Sequence, residues 1–293
     1  MRISTTTQWQ TYMSDAQRAS DRYLSAQRQV ATGLRFQTAA DDPQGAQTVI
    51  SLTALTNRYK QLDANLTVAK EYLNNGESIL GQTNDAVQSA YTLALQGANG
   101  TNDTAARQGL VSQINELQTR IVSLGNTQLS GGRYLFSGQL TSTKPFAVSG
   151  SALAFNGDDN AVNVEVRPAD LMRVNQQGAG ALYQDIYAKL ETLKSNLATG
   201  DANLIGQSVT DMQNLGTQLT QLRADQGSKL QTVQSLASDN ARRKEDLTAQ
   251  VSDAQDVDIA EAMTNYQQNQ NAYQAALTVL AQGSKLSLLD YMR

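Results

Sequence analysis

The sequence predicts a mainly α-helical protein with a small β insertion, folded as a long antiparallel bundle or coiled-coil rod whose first and last helices pair. Apolar residues recur at helical spacing on both sides of the chain's middle. Glycine, proline and alternating runs are concentrated between positions 131 and 181. Only 5% of the residues are aromatic, so we expect thin cores spread along helices.

The first predicted helix runs from about Ser4 to Thr32, and Gly33 is a natural stop for it. Its apolar residues follow the 3-4 spacing of a coiled-coil seam. Alanine fills much of this seam, so the helix should be marginal without a partner. The seam comprises Trp9, Tyr12, Ala16, Ala19, Tyr23, Ala26 and Val30.

A second helix is predicted to begin at Asp42-Pro43, with Asp42 as N-cap and Pro43 at the first helical position. It should extend for about 50 residues to Gly97, and a third helix should follow from about Thr104. Asp41 beside Asp42 could also suggest a metal site, but the cap accounts for the pair without one.

Short strands are predicted in the β insertion at 134–136, 146–148, 153–155 and 162–166. Asn156-Gly157 is a residue pair typical of a hairpin turn. Helical periodicity resumes near Leu182, passes a turn at Gly200-Asp201 and continues to about Leu247, with a break expected near Gly227.

The last predicted helix opens with Asp258 and Glu261 at the spacing of a capping box. Together with Asp256 these carboxylates could form a calcium or acid–base cluster, but no EF-hand loop surrounds them, which favours the cap. Both terminal seams are predicted assembly interfaces, for each other and for further copies. The C-terminal seam comprises Ile259, Met263, Tyr266, Tyr273, Leu277 and Leu280, with Leu288 and Leu289 near the end.

Three domains follow from this layout. Residues 1–32 with 255–293 form a terminal coiled-coil domain, expected to be disordered in the free monomer. Residues 33–130 with 182–254 form a helical rod, and 131–181 form the inserted β-rich domain.

The composition argues against several functions. A net charge of −4 gives no basic excess for nucleic acid. The chain has no histidine and no cysteine, and no catalytic constellation, so we expect no enzyme, no cofactor and no metal. No segment is apolar for the roughly 20 residues of a membrane span. The N-terminal residues lack the apolar stretch of a cleaved signal peptide.

Seven segments of the chain together carry the motifs of a known family. They are Met1–Thr5, Thr32–Arg35, Ala40–Pro43, Gly132–Gly138, Asp256–Ala262, Ala272–Ala275 and Ser287–Asp290. These motifs resemble the flagellin-like family of the bacterial flagellum, and within it the proteins of the hook–filament junction. The resemblance extends along the whole chain, with a freer β insertion. Pro43 and the ending Leu289-Asp-Tyr-Met-Arg293 differ from flagellin's usual residues there and favour the junction group.

This resemblance implies a structural subunit needed for filament assembly and motility, which forms a ring of copies between the first hook-associated protein and flagellin. It also implies type III export without a cleaved signal, an extracellular place in the flagellum, and a cytoplasmic export chaperone at the C-terminal region. No nucleic-acid or membrane partner is expected. The alternatives are flagellin itself and a cytoplasmic coiled-coil scaffold.

Overall fold

A computed structural model describes residues 5–99 and 103–291 of the chain, with side chains over 7–99 and 103–282. Within these residues, long helices come before and after two small β-hairpins in the sequence, so the prediction of a mainly α fold with a β insertion is confirmed. The helices are α1 (Thr5–Thr32), α2 (Pro43–Ala98), α3 (Thr104–Gly125), α4 (Ala179–Thr199), α5 (Ala202–Gln255) and α6 (Ile259–Tyr291). The strands are β1 (Phe146–Ser149), β2 (Ala152–Phe155), β3 (Asn163–Arg167) and β4 (Asp170–Arg173).

The chain forms two compact units. Unit 1 comprises Met1–Arg58 and Arg243–Arg293, and unit 2 comprises Tyr59–Arg242. The division lies inside α2 and α5, whereas the predicted terminal domain ended near residues 32 and 255. The disorder expected of that domain in the free monomer stays a prediction.

Unit 2 has a continuous apolar core contributed by the helices and both hairpins. At its centre the ring of Tyr183 lies 5.2 Å from that of Phe136 and 5.0 Å from that of Phe146, measured between centroids. The Tyr183 hydroxyl lies 3.0 Å from Thr83 Oγ1, which itself donates to the carbonyl oxygen of Ile79 at 2.8 Å. The aromatic cluster therefore joins α2, α4 and the first hairpin.

The hairpins differ from the prediction in their turns. β1 and β2 are antiparallel and connected at Gly150, and β3 and β4 are antiparallel with the turn residue Ala169 at a φ of 63°. β4 was not predicted. Asn156-Gly157 was wrongly expected in a turn between strands; it follows β2, where a Cβ on Gly157 would lie 2.9 Å from Ser137 Cα.

The expected strand at 134–136 is absent from the described residues. Tyr134 makes only an isolated bridge with Gln128, while Leu135 and Phe136 are buried as anchors of a turn. Gly131, Gly132 and Gly138 have positive φ, which interrupts any extended run. The break expected near Gly227 is also absent: α5 runs through this residue without interruption. Gln226 and Val233 nearby are buried, so packing fixes this part of the helix.

Candidate assembly interface

α1 and α6 form an antiparallel pair in unit 1. The Val257 N–H donates to the carbonyl oxygen of Gly33 at 2.9 Å, and the Arg35 N–H donates to that of Gln255 at 2.7 Å. These bonds hold the start of α6 beside the end of α1. Gly33 has a φ of 71°, so it ends α1 in the left-handed conformation that glycine adopts at little cost.

The fully buried residues in the contact between the two helices are small. Ala16 and Ala26 of α1 and Ala262 of α6 are the buried apolar residues along it. Alanine permits close approach of the helices but buries little apolar area. The half-buried residues of the predicted seams are Trp9, Ala19, Tyr23, Val30, Tyr266, Tyr273 and Leu280.

Three tyrosines form the largest feature of this contact. The Tyr23 and Tyr266 hydroxyls lie 3.3 Å apart, and their ring centroids are 5.5 Å apart. The Tyr273 ring is stacked on Tyr23 at 5.7 Å, with the ring planes 9° apart. The hydrogen bond with Tyr266 raises the pKa of Tyr23, and desolvation and the neighbouring phenols act in the same direction. Tyr23 is therefore neutral at neutral pH.

Part of the predicted C-terminal seam faces away from α1. Ile259, Met263 and Leu277 are 48%, 52% and 42% exposed, whereas Ala262 is 1% exposed. Tyr12 of α1 is also exposed. The contact line on α6 is thus rotated relative to the predicted seam, because Ala262, Tyr266 and Tyr273 face α1. Leu288 and Leu289 lie outside the residues whose side chains are described.

The prediction missed the residues that complete the contact on α6. Asn269 and Ala276 are half-buried there. Ala262, Asn269 and Ala276 recur every seven residues, which is itself a heptad line. The predicted seam began at Ile259 because that residue is large and apolar. It omitted the line of Ala262, Asn269 and Ala276 because those residues are small or polar.

Five of the exposed large apolar residues of α1 and α6 share one side of the pair, whereas Tyr12 and Val279 lie elsewhere around their helices. Met13 and Leu24 are exposed on α1 and lie eleven residues, just over three full turns, apart. On each helix, these exposed apolar residues lie about a quarter turn around the helix axis from the residues that contact the partner helix. The rotation has the same sense on both helices when each is followed from its N-terminus to its C-terminus. Because the helices are antiparallel, the same sense directs both lines to the same side. We call Met13, Leu24, Ile259, Met263 and Leu277 the outward apolar face.

The cap residues lie at the starts of α2 and α6. Asp42 Oδ1 accepts from the Gly45 N–H at 2.9 Å, directly before Pro43. Asp258 Oδ1 accepts from the N–H groups of residues 260 and 261 at 2.8 and 3.3 Å. Both arrangements are N-cap geometries. In the described part of the chain, Glu261 shows no return bond to the Asp258 N–H.

The connection between α1 and α2 is tied to the end of α5. Arg35 Nη2 donates to the carbonyl oxygen of Ala254 at 2.9 Å and to Asp42 Oδ2 at 3.3 Å. Hydrogen bonds from the Thr38 side chain and backbone lower the pKa of Asp41.

Among the described residues, no group of three potential metal-ligating side chains converges, and no helix is long and apolar enough to cross a membrane.

Comparison with known families identifies the class of protein. Residues 3–141 match the model of the bacterial flagellin N-terminal helical region, and residues 205–292 match that of the bacterial flagellin C-terminal helical region. The two matches together span well over half of the chain and contain all of α1 and α6. The chain belongs to the flagellin family, whose members are structural proteins of the bacterial flagellum.

Within this family, the chain is similar over its full length to a hook-associated protein. It is 25% identical to flagellar hook-associated protein 3 of Escherichia coli over 99% of both chains. Flagellin A of Vibrio anguillarum is 27% identical, over 73% of this chain and 59% of that protein. The crystal structure of Bacillus cereus FlgL has the same fold, with a TM-score of 0.61, 19% identity, and coverage of 69% of this chain and 99% of that one.

Proposed function

We propose that this chain is the adaptor subunit at the hook–filament junction of a bacterial flagellum. A ring of copies would connect the first hook-associated protein to the first flagellin subunits. The full-length similarity to hook-associated protein 3 supports this function. The outward apolar face supplies the physical reason, because a structural subunit needs a surface that neighbours cover.

The partner of the outward apolar face is a terminal helix of a neighbouring subunit. The five large apolar side chains of this face remain in water, while the fully buried residues between α1 and α6 are alanines. An apolar surface on slender helices typically marks an interaction site. A neighbouring helix would bury these side chains and stabilise the pair that presents them.

Export precedes this assembly in the proposal. The chain leaves the cytoplasm by type III export without a cleaved signal and carries no enzymatic activity. A cytoplasmic chaperone binds the C-terminal region and covers the apolar side chains of α6 before export. Ile259, Met263 and Leu277 are accessible for this purpose, since all three are exposed in the chain alone.

Localisation tests the function directly. Immuno-electron microscopy with antibodies to this chain should label the boundary between hook and filament and nowhere along the filament. Labelling along the filament would instead identify flagellin, and a cytoplasmic signal would identify a scaffold. Flagellins match 73% of this chain in Vibrio anguillarum and 90% in Treponema pallidum, against 99% for hook-associated protein 3 of Escherichia coli, so flagellin is the weaker alternative.

Deletion of residues 1–32 or 255–293 tests the role of the terminal helices. We expect filament assembly and motility to be lost while unit 2 stays folded, because its core lies in Tyr59–Arg242. Near-ultraviolet circular dichroism of the Tyr183 cluster reports that folding. Assembly of normal filaments by either deletion would contradict the proposal.

A point variant isolates the outward apolar face. Met263→Glu should block incorporation into flagella, because it places a charge where a neighbour must pack. Gln268→Glu is the matched control, since Gln268 is exposed on α6 about 140° away from Met263 around the helix. If both variants assemble equally, this face is not an interface.

A further inference from the structure

We propose that Tyr23 and Tyr266 are an oxidative cross-linking site, at which a one-electron oxidant joins α1 covalently to α6 through a dityrosine bond. The hydroxyls of the two rings lie 3.3 Å apart, so the carbons next to each hydroxyl approach one another. Dityrosine forms through these ortho carbons. The inference needs only the α1–α6 contact and goes beyond the junction function.

The arrangement is specific to this place in the described residues. The ring contacts found there include two tyrosine–tyrosine pairs, and Tyr23 belongs to both. Tyr183 contacts phenylalanines, which form no phenoxyl radical. Tyr273 is stacked on Tyr23 with the ring planes 9° apart, and this packing restricts the orientation of the Tyr23 ring.

The chemistry balances with an external one-electron oxidant, such as a peroxidase with hydrogen peroxide. Tyr23 and Tyr266 each give one electron to the oxidant and one phenolic proton to solvent. The two phenoxyl radicals then form one carbon–carbon bond. The hydrogen on each joined carbon moves to the oxygen of its own ring, which restores both aromatic phenols. The chain loses two electrons and two protons in total.

The consequence is a covalent connection between the two terminal helices. The residues are 243 positions apart in the sequence, so the bond closes a very long loop of the unfolded chain. Closing a long loop removes more conformational entropy from the unfolded state than closing a short one. The cross-linked terminal pair should therefore resist separation by heat or acid.

Oxidation of the full chain tests this site. The purified chain at low concentration and isolated flagella are each treated with photogenerated ruthenium(III) tris-bipyridyl and persulfate. Peptide mass spectrometry then locates any dityrosine. We expect a cross-linked peptide joining Tyr23 and Tyr266 of one chain in at least one preparation. Its absence from both would overturn the proposal.

Two ring-preserving variants identify the partner. Tyr266→Phe keeps the packing but should reduce the Tyr23 cross-link at least tenfold. Tyr273→Phe keeps the stacked ring and should leave the yield within twofold of the unmodified chain. A Tyr266→Phe chain that cross-links Tyr23 as well as the unmodified chain would contradict this pairing. Mislocalisation in the microscopy would refute the junction function and leave this result unaffected.

Discussion

Removal of one buried hydroxyl provides a sharp test of the unit 2 core. Tyr183 is fully buried, and Thr83 Oγ1 lies 3.0 Å from its hydroxyl. The Thr83 proton is already used in the bond to the Ile79 carbonyl oxygen at 2.8 Å. The Tyr183 hydroxyl is therefore the donor of the shared bond. Tyr183→Phe removes this donor and keeps the ring, so it should lower the free energy of unfolding by about 1 kcal/mol.

Thr83→Val should cost more than Tyr183→Phe. It leaves the Tyr183 hydroxyl as a buried donor without an acceptor, which costs roughly 1–3 kcal/mol. In the double variant neither group of the bond remains, so its cost should be smaller than the sum of the single costs. Tyr183→Ala should cost about 3–5 kcal/mol, because it opens a cavity between Phe136 and Phe146.

Urea unfolding measures these differences in the full chain. The single tryptophan, Trp9, lies in unit 1, so its fluorescence follows that unit, while circular dichroism follows the helices of both. Tyr183→Phe should shift the dichroism midpoint and leave the Trp9 transition in place. Strict additivity of the Thr83 and Tyr183 costs would refute the assigned bond, since independent sites add and bonded partners do not.

Two glycines of one helix should respond in opposite directions to alanine. Gly109→Ala should stabilise α3 by about 1 kcal/mol, because the added Cβ meets open space. Gly125→Ala should destabilise the same helix, because its Cβ would lie 2.6 Å from Phe146 Cδ2. The midpoints of urea unfolding check both variants. Gly33→Ala should destabilise unit 1 by about 1 kcal/mol, since its φ of 71° strains any other residue, and tryptophan fluorescence measures this loss. Burial raises the pKa of Tyr183, so the folded state holds its proton longer than the unfolded state. Stability should fall as pH rises above about 10, and Tyr183→Phe should make that fall shallower.

The long helices could be predicted because their cores repeat at helical spacing. α2 was expected from Pro43 to about Gly97 and ends at Ala98, and α3 begins at Thr104 as expected. The N-cap aspartates were recognisable for the same local reason: the bond they make is to the next few N–H groups. Local patterns thus determine where these helices begin and end.

The hairpin turns and the α6 contact depended on packing across the fold. Asn156-Gly157 has turn chemistry, yet close packing on Ser137 decided its place. Leu135 and Phe136 resembled strand residues because they are apolar, although they are apolar for burial in a turn. On α6 two heptad lines coexist, one beginning at Ile259 and one at Ala262. Size favoured the first line, but only close approach to α1 could select the second.

The choice of the smaller line has a thermodynamic meaning. An isolated helix pair gains most by placing its largest apolar side chains inside, at roughly 25 cal/mol for each Å² removed from water. In the α1–α6 pair the fully buried residues are Ala16, Ala26 and Ala262, and the larger contact residues such as Tyr23 and Tyr266 are only half-buried. The five residues of the outward apolar face are in water. Their apolar area can therefore be buried only against another surface. Order in the pair and docking to a neighbour are then linked, because each neighbour that covers the outward face also stabilises the pair.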